Sequence, residues 1–349
     1  MKRIQIRSFI KGGNHGQYLQ ASGLANIINE IQSGSLVTHL NYENHFYEEL
    51  KQHIKLGTLP KFLVMRHHWN NDLKFSNLNE KSDVTVYGSD MIWHLDSDLY
   101  QPDEIFFGKS DSAQQRIAYA PSTGYRKIPE PGWLNAYLAK FSSIGVRDQN
   151  TFNLVKDHSN TQPDFVIDPS FFIRHEENLT LEPTRRPKPR KNYISIYSPS
   201  TNLLQERLFD GVRKNSLPGF FMNIKYCGYY QRRAIHRSFS DQFAHPHNAL
   251  ELIANSQLLL TSTFHGVMMA LMSNTPFIAV KNPNLVARLD SPISHYFDPT
   301  RLLDIDDLGD LDASAIIRLC QADDINIAGL RDYRQKSRLW LTNALKAKS

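Results

Sequence analysis

Short apolar runs of strand character alternate with helical stripes along nearly the whole chain, and almost every run ends in a polar or glycine-bearing turn. That alternation points to α/β architectures built on parallel sheets, because a helix must carry the chain back before the next parallel strand begins. Arg3 to Ile10 alternates as a strand and Lys11-Gly12-Gly13-Asn14-His15-Gly16 makes a glycine-rich turn. Gln17–Ile31 then places Leu24, Ile27, Ile28 and Ile31 on one helical face. Further strands are expected at Leu36–Tyr42, Lys61–Met65, Asp83–Tyr87, Arg116–Ala120, Ser142–Val146 and Phe165–Ile167. Helices are expected at Phe46–Leu56, Trp133–Phe141 and from a capping Asp148 through Asp157. The pattern breaks at Glu176–Asn192, where Pro183, Pro187 and Pro189 stand among Arg185, Arg186, Lys188, Arg190 and Lys191, the composition of a stiff, solvated connection. It then restarts with strands at Tyr193–Tyr197, Phe221–Tyr226, Leu258–Leu260 and Phe277–Val280, and helices at Leu203–Asn215 and Ala249–Ser256.

The expectation is an α/β protein of two doubly wound domains facing across a cleft. Residues 1–178 form the first, 179–191 the linker, 192–325 the second, and 326–349 a C-terminal helix that packs back across both. A length of 349 residues suits two cores of about 150 residues each. The net charge of +5 favours anionic ligands. The basic residues are scattered, with no stripe interleaving them with aromatics, so no nucleic-acid partner is expected. Cys227 and Cys320 exclude a disulfide framework and a cysteine-based zinc site, and fit a reducing cytoplasm. Arg7, Lys11 and Gly12-Gly13 cut short any apolar leader, and no run reaches the length of a membrane span. A cytoplasmic chain with at most transient contact with a membrane surface is therefore expected.

A doubly wound sheet presents the carboxyl ends of its strands to one crevice. Those ends carry Asn14 and His15, Ser89 and Asp90, Ser122 and Thr123, Arg147 and Asp148, Asp168, and Thr261 to His265. In the last group, Thr261–Thr263 supply capping hydroxyls, and His265 and Gly266 fall in the first helical turn. A helix start offers unpaired N–H groups and a positive dipole end, hence an anion site carrying a titratable imidazole. A capped core helix with a satisfied histidine has the same local pattern. Met268, Met269, Leu271 and Met272 read as core. His67-His68 and His245-Pro246-His247 lie too close along the chain to make metal sites without further partners, and no metal is expected. The chain has no GxSxG elbow, no P-loop and no dinucleotide fingerprint, which counts against hydrolase and dehydrogenase classes.

Taken together, these strand ends resemble the polysaccharide pyruvyl transferase family, in order along nearly the whole chain. Asn14-His15-Gly16 followed by Leu19-Gln20-Ala21 is similar to its N-Y-G…LQA element, and Gly88-Ser89-Asp90-Met91-Ile92-Trp93 to GSDxxW. Tyr119-Ala120-Pro121-Ser122-Thr123-Gly124 resembles YAxSxG, and Val146-Arg147-Asp148 with Thr151 resembles VR[DE]xxT. Asp168-Pro169-Ser170 is similar to DP[ST], and Thr261 to Gly266 to [TS]xxFHG. The resemblance implies two Rossmann-like domains in a GT-B-like arrangement. It also implies transfer of a pyruvyl group from phosphoenolpyruvate to two hydroxyls of a sugar or lipid-linked oligosaccharide, in exopolysaccharide or cell-surface glycan assembly, with no cofactor beyond that donor. His265 would be the general acid or an anion-binding donor, and Arg147 a clamp on phosphate or carboxylate unless it only pairs with Asp148 or Asp168. Asp90 would contact or deprotonate the acceptor hydroxyl. Asn14, His15, Gly16, Ser89, Ser122, Thr123, Gly124, Ser262, Thr263, Gly266 and Lys281 would bind substrate. Thr263 stands where some members have arginine, which leaves anion binding to Arg147, Lys281 or Arg288. Two alternatives stay open: a GT-B glycosyltransferase using a nucleotide sugar, and a glycan- or anion-binding relative whose site has decayed.

Overall fold

A computed structural model of the chain describes residues 1–43, 46–55, 59–95, 103–124, 131–174, 191–198, 207, 224–226 and 245–347. The first half runs β1 (Arg3–Arg7), α1 (His15–Ile31), β2 (Leu36–Leu40), α2 (Phe46–Lys55), α3 (Leu59–Asp72), β3 (Phe75–Ser76) and β4 (Val84–Tyr87). It continues through β5 (Gln115–Tyr119), α4 (Leu134–Leu138), β6 (Ser143–Val146), α5 (Gln149–His158) and β7 (Asp164–Phe165). The second half runs β8 (Lys191–Tyr197), β9 (Ile224–Tyr226), α6 (Pro246–Ala254), β10 (Ser256–Thr261), α7 (Phe264–Met272), β11 (Phe277–Val280), α8 (Pro283–Leu289) and β12 (Leu302–Leu303). The helices Ala313–Leu319 (α9) and Ile327–Lys346 (α10) complete it.

The strands form two parallel sheets, ordered β3-β2-β1-β4-β5-β6-β7 and β12-β11-β10-β8-β9. In each sheet the chain winds outward from a central strand in both directions, so each has one switch point, at β1/β4 and at β8/β10. Adjacent loops leave in opposite directions there and open a crevice at the carboxyl ends. The strands read as continuous apolar runs because helices cover both faces; Val84–Tyr87 and Phe277–Val280 are buried at every position.

The two halves share apolar packing. One buried cluster contains Ile4, Ile6 and Val86 of the first sheet, Leu24 and Ile28 of α1, and Leu259, Val267, Met268, Met269 and Met272 of the second half. α1 also lies against the turn Pro169–Phe172, where Gly23 admits the Pro169 carbonyl; a Cβ at residue 23 would come within 1.9 Å of that oxygen. The tail helix α10 returns over the first sheet. Gln115 Nε2 donates to the Ala344 carbonyl (2.7 Å), Ile167 N to Ser337 Oγ (2.9 Å) and Trp340 Nε1 to Asp164 Oδ2 (2.7 Å). Tyr333 meanwhile stacks on Tyr296 of the second half at 5.7 Å. No described helix is long and apolar enough to cross a membrane.

Most expected elements are present within about three residues at each end, and two differ more. Lys61–Met65 lies inside helix α3 and is not a strand: Phe62, Met65 and Trp69, spaced three and four apart, are all fully buried, which is a helical stripe. The expected helix Trp133–Phe141 shortens to Leu134–Leu138 before the chain turns into β6. The short edge strands β3 and β12 carried too few residues to show a period. The expected helix Leu203–Asn215, apart from residue 207, and most of the 179–191 linker lie outside the described residues.

Replacing Gly23 by Ala forces either α1 or the Pro169 turn to move. A loss of about 1–3 kcal/mol is expected from overpacking a closed contact, measurable as a lower thermal midpoint. An unchanged midpoint would show that this seam yields freely.

Candidate active site

The two switch points face each other. On the first domain the turn after β1 carries Asn14, which caps α1 by accepting from Gly16 N at 2.8 Å. The turn after β4 carries Gly88, Ser89 and Asp90. Gly88 has φ +140°, and a Cβ there would lie 1.8 Å from the Tyr119 carbonyl oxygen, so only glycine fits. Asp90, also at positive φ (77°), accepts from Ser122 N through its carbonyl (2.8 Å), which joins the β4 and β5 turns. Ser122 Oγ accepts from Gly124 N at 3.2 Å, and Thr123 N donates to Thr151 Oγ1 at 2.9 Å.

On the second domain, Ser198 after β8 and Ser262 after β10 share a 2.5 Å hydroxyl contact. Thr263 caps α7, its Oγ1 accepting from Gly266 N at 3.0 Å. Gly266 leaves room for the Thr261 hydroxyl, which a Cβ there would meet at 2.1 Å. The signature after β10 is thus first of all a local device that starts a helix sharply after a strand.

Tertiary folding adds that the N terminus of α7 abuts the N terminus of α1. The imidazole of His265 rests on Gly16, where a Cβ would lie 2.2 Å from its Cγ and Nδ1. Tyr197 reaches Asn14 Oδ1 at 3.4 Å and stacks on His15. Ser89 Oγ donates to Gln20 Oε1 at 2.6 Å, and the Gln20 amide nitrogen contacts His265 Nε2. With the hydroxyl donating to the amide oxygen, the amide nitrogen donates to Nε2, so the neutral ring carries its proton on Nδ1. Beside this junction opens a cavity of about 390 Å³ lined by Asn14, Tyr197, Ser262, Thr263, Phe264, His265, Asn282, Asn284, Leu285 and Arg288.

Behind Phe264 lies a buried charge cluster. Arg147 is 3% exposed; its Nη1 donates to Asp168 Oδ2 at 2.8 Å and its Nη2 is 3.6 Å from Asp90 Oδ1. Its guanidinium packs 4.9 Å from the Phe264 ring centre, and that of Arg288 5.9 Å from the same ring. Burial works against charge on Asp90, but Arg147, His265 and Arg288 together hold its carboxyl below the usual range. Burial pushes His265 down to about 4; Asp168 and Asp90 oppose this and the two arginines add to it. The resting imidazole is neutral.

Of the residues singled out in the sequence, Asn14, Ser262, Thr263 and His265 line the cavity, and His15, Gly16, Ser89 and Gly266 support it through the contacts above. Arg147 does not line it: it is the partner of Asp168, and Asp90 sits against it. Asp148 instead caps α5, accepting from Thr151 N at 2.9 Å. Ser122, Thr123 and Gly124 tie the adjoining turn together. Lys281 is directed to the surface and pairs with Asp304 at 3.1 Å. Among the described residues, the guanidinium that lines the cavity is that of Arg288. Gln20, Tyr197, Asn282 and Asn284 were not singled out; Gln20 lay inside the matched LQA triplet but mid-helix, where no local rule marks it as polar for a purpose.

Parallel sheets wound outward from two switch points, with crevices turned toward each other, define the class of two-domain Rossmann-like proteins with a GT-B-like arrangement. A Listeria monocytogenes structure assigned as a UDP-N-acetylglucosamine 2-epimerase shares this fold over 100% of the present chain and 98% of its own, at 10% identity and TM-score 0.53. The structure of TarM aligns over 100% and 96% of the two chains at 9% identity and TM-score 0.48. No curated protein matches the chain. The sequence profile of the family described as polysaccharide pyruvyl transferase matches residues 14–284, so the chain belongs to that family.

The low proton affinity of His265 has a measurable sign. Unfolded histidine titrates near 6.5, so as pH falls from there toward 4 the unfolded chain takes up a proton that the folded chain refuses, and stability drops. Buried His39, also pushed down to about 4 by desolvation, contributes in the same direction. Histidine-selective NMR should find both rings neutral at pH 5.5 in the ligand-free protein, and inorganic phosphate should raise the titration of His265 while leaving that of His39 in place. A His265 ring already charged at pH 5.5 would contradict the electrostatic picture.

Proposed function

We propose that the protein transfers a pyruvyl group from phosphoenolpyruvate to two hydroxyls of one sugar, forming a cyclic ketal and releasing phosphate. It would do so in the cytoplasm, during exopolysaccharide or cell-surface glycan assembly. The observation that carries the reading is the convergence of two helix N termini, one from each domain, on His265 at the edge of a cavity that Arg288 also lines. Phosphoenolpyruvate presents a phosphate and a carboxylate, and such a site offers first-turn N–H groups, two positive dipole ends and one guanidinium to them.

In this reading the neutral imidazole is a switch. A bound dianion restores the proton affinity that burial removes, and Asp90 and Asp168 already favour the charged ring. The imidazolium then gives its proton to C3 of the enol while one sugar hydroxyl bonds to C2 and yields its proton to the neutral ring. Breaking of the bond from C2 to the bridging oxygen releases phosphate. The second hydroxyl closes the ketal at C2, and its proton leaves with the phosphate. Of the three cations considered for anion binding, Arg147, Lys281 and Arg288, it is Arg288 that takes the role and compensates for threonine at position 263. Arg147 keeps Asp90 ionised, and Asp90 acts through the charge of His265 and not on the acceptor. Among the described residues, none that lines the cavity is acidic.

Incubation with phosphoenolpyruvate and a panel of free or lipid-linked galactosides and mannosides should release phosphate and yield a product heavier by one pyruvate less water. No phosphate with any acceptor, together with no thermal stabilisation by phosphoenolpyruvate, would overturn the reading. His265→Ala should lower kcat by about 10²–10⁴-fold, as loss of a general acid does; a rise confined to KM would demote the ring to an anion donor. Arg288→Ala should act mainly on KM. Arg147→Ala should also lower stability, by about 3–5 kcal/mol, because it leaves buried carboxylates unpaired.

A further inference from the structure

Away from the cavity, the seam between the domains joins histidines that lie far apart in sequence. His68 and Asp72 stand one turn apart on α3 and project from the same face. His245, from the second domain, caps the N terminus of α6. One donor atom from each of the three lies within 4.8 Å of the other two, and His245 Nε2 is 3.6 Å from Asp72 Oδ2. Tetrahedral zinc with bonds of about 2.1 Å places its ligand atoms about 3.4 Å apart, so the set closes on a cation with side-chain movements of about an ångström.

The surroundings suit a cation. Tyr18 Oη donates to Asp72 Oδ2 at 2.6 Å and orients the carboxylate, as groups just outside a metal's ligands do. The His68 and His245 rings meet edge to face at 4.3 Å, and His247 stacks on His245 at 4.9 Å. His68 and His245 are partly exposed and Asp72 is at the surface, so an ion has a path in from solvent.

We propose that His68, Asp72 and His245 form a structural binding site for a divalent transition-metal ion of the zinc class, with water completing the coordination. Two imidazoles and one carboxylate select such ions over magnesium. The bound ion clamps α3 of the first domain to the start of α6 of the second, beside α1, and so holds closed the seam on which the Gly16–His265 contact depends. None of the three residues lines the cavity. The site is therefore independent of the reaction proposed above. His247 N donates to His245 Nδ1 at 3.1 Å, which places the neutral ring's proton on Nε2. Coordination through Nε2 moves that proton to Nδ1 and gives up this cap, so affinity is moderate and weakens as pH falls.

The test uses full-length protein without a histidine tag. Calorimetric titration with Zn²⁺ should give one ion per chain, Co²⁺ should give the visible absorption of a low-coordinate N/O site, and the thermal midpoint should rise with Zn²⁺ concentration but not with Mg²⁺. His68→Gln and His245→Asn, the second of which keeps a helix-capping side chain, should each weaken Zn²⁺ binding at least tenfold while leaving the metal-free midpoint near that of the parent. Absence of a Zn²⁺-dependent shift in the parent, or a shift of full size in both variants, would overturn the proposal. If either variant fails to fold, Asp72→Asn with the same Co²⁺ readout decides in its place.

Discussion

The junction of α1 and α7 governs the rest of the molecule. Two helices from different domains point their N termini at one another, and the contact closes only because residue 16 has no side chain in the way of the His265 ring. Bringing two positive dipole ends together is unfavourable without an anion. An anion bound between the two ends would relieve that repulsion. The shared apolar packing of Leu24, Ile28, Val267 and Met268 and the returning tail helix hold the two ends in place against that repulsion.

Charge balance behind the junction follows from it. Arg147, Asp168 and Asp90 are nearly inaccessible, and each would be costly there without the others. Their net effect on His265 is a contest between two carboxylates and two guanidiniums, decided at rest by desolvation in favour of the neutral ring. A ring held so far from its ordinary range, with carboxylates already in place to favour its charged form, responds to one added dianion more than an exposed histidine would. The aromatic ring of Phe264 lines the cavity and packs near both arginines.

Much of this was legible in the sequence because it is local. Strand β11 has the bounds that its pattern implies, and the caps at Asp148 and Thr263 follow from hydroxyl or carboxylate chemistry at the right offset. The ordered motifs at the strand ends pointed to the family. The misread Lys61–Met65 shows the limit of a short window: five residues look like a strand, and only the longer stripe through Trp69 shows the helical period. Arg147 and Lys281 show another. A cation near a motif is a candidate in sequence, but whether it faces a ligand or a carboxylate depends on which chain segments fold against it.

The sequence by itself determined the two doubly wound halves, the helix start at His265 and the membership of a family, because periodicity, capping and motif order are properties of neighbouring residues. Tertiary structure alone decided that Arg288 and not Arg147 reaches the cavity, that Gln20 links Ser89 to His265, and that His68, Asp72 and His245 meet. Those contacts join residues tens to hundreds of positions apart, and their chemistry comes from burial and proximity, which no local pattern encodes.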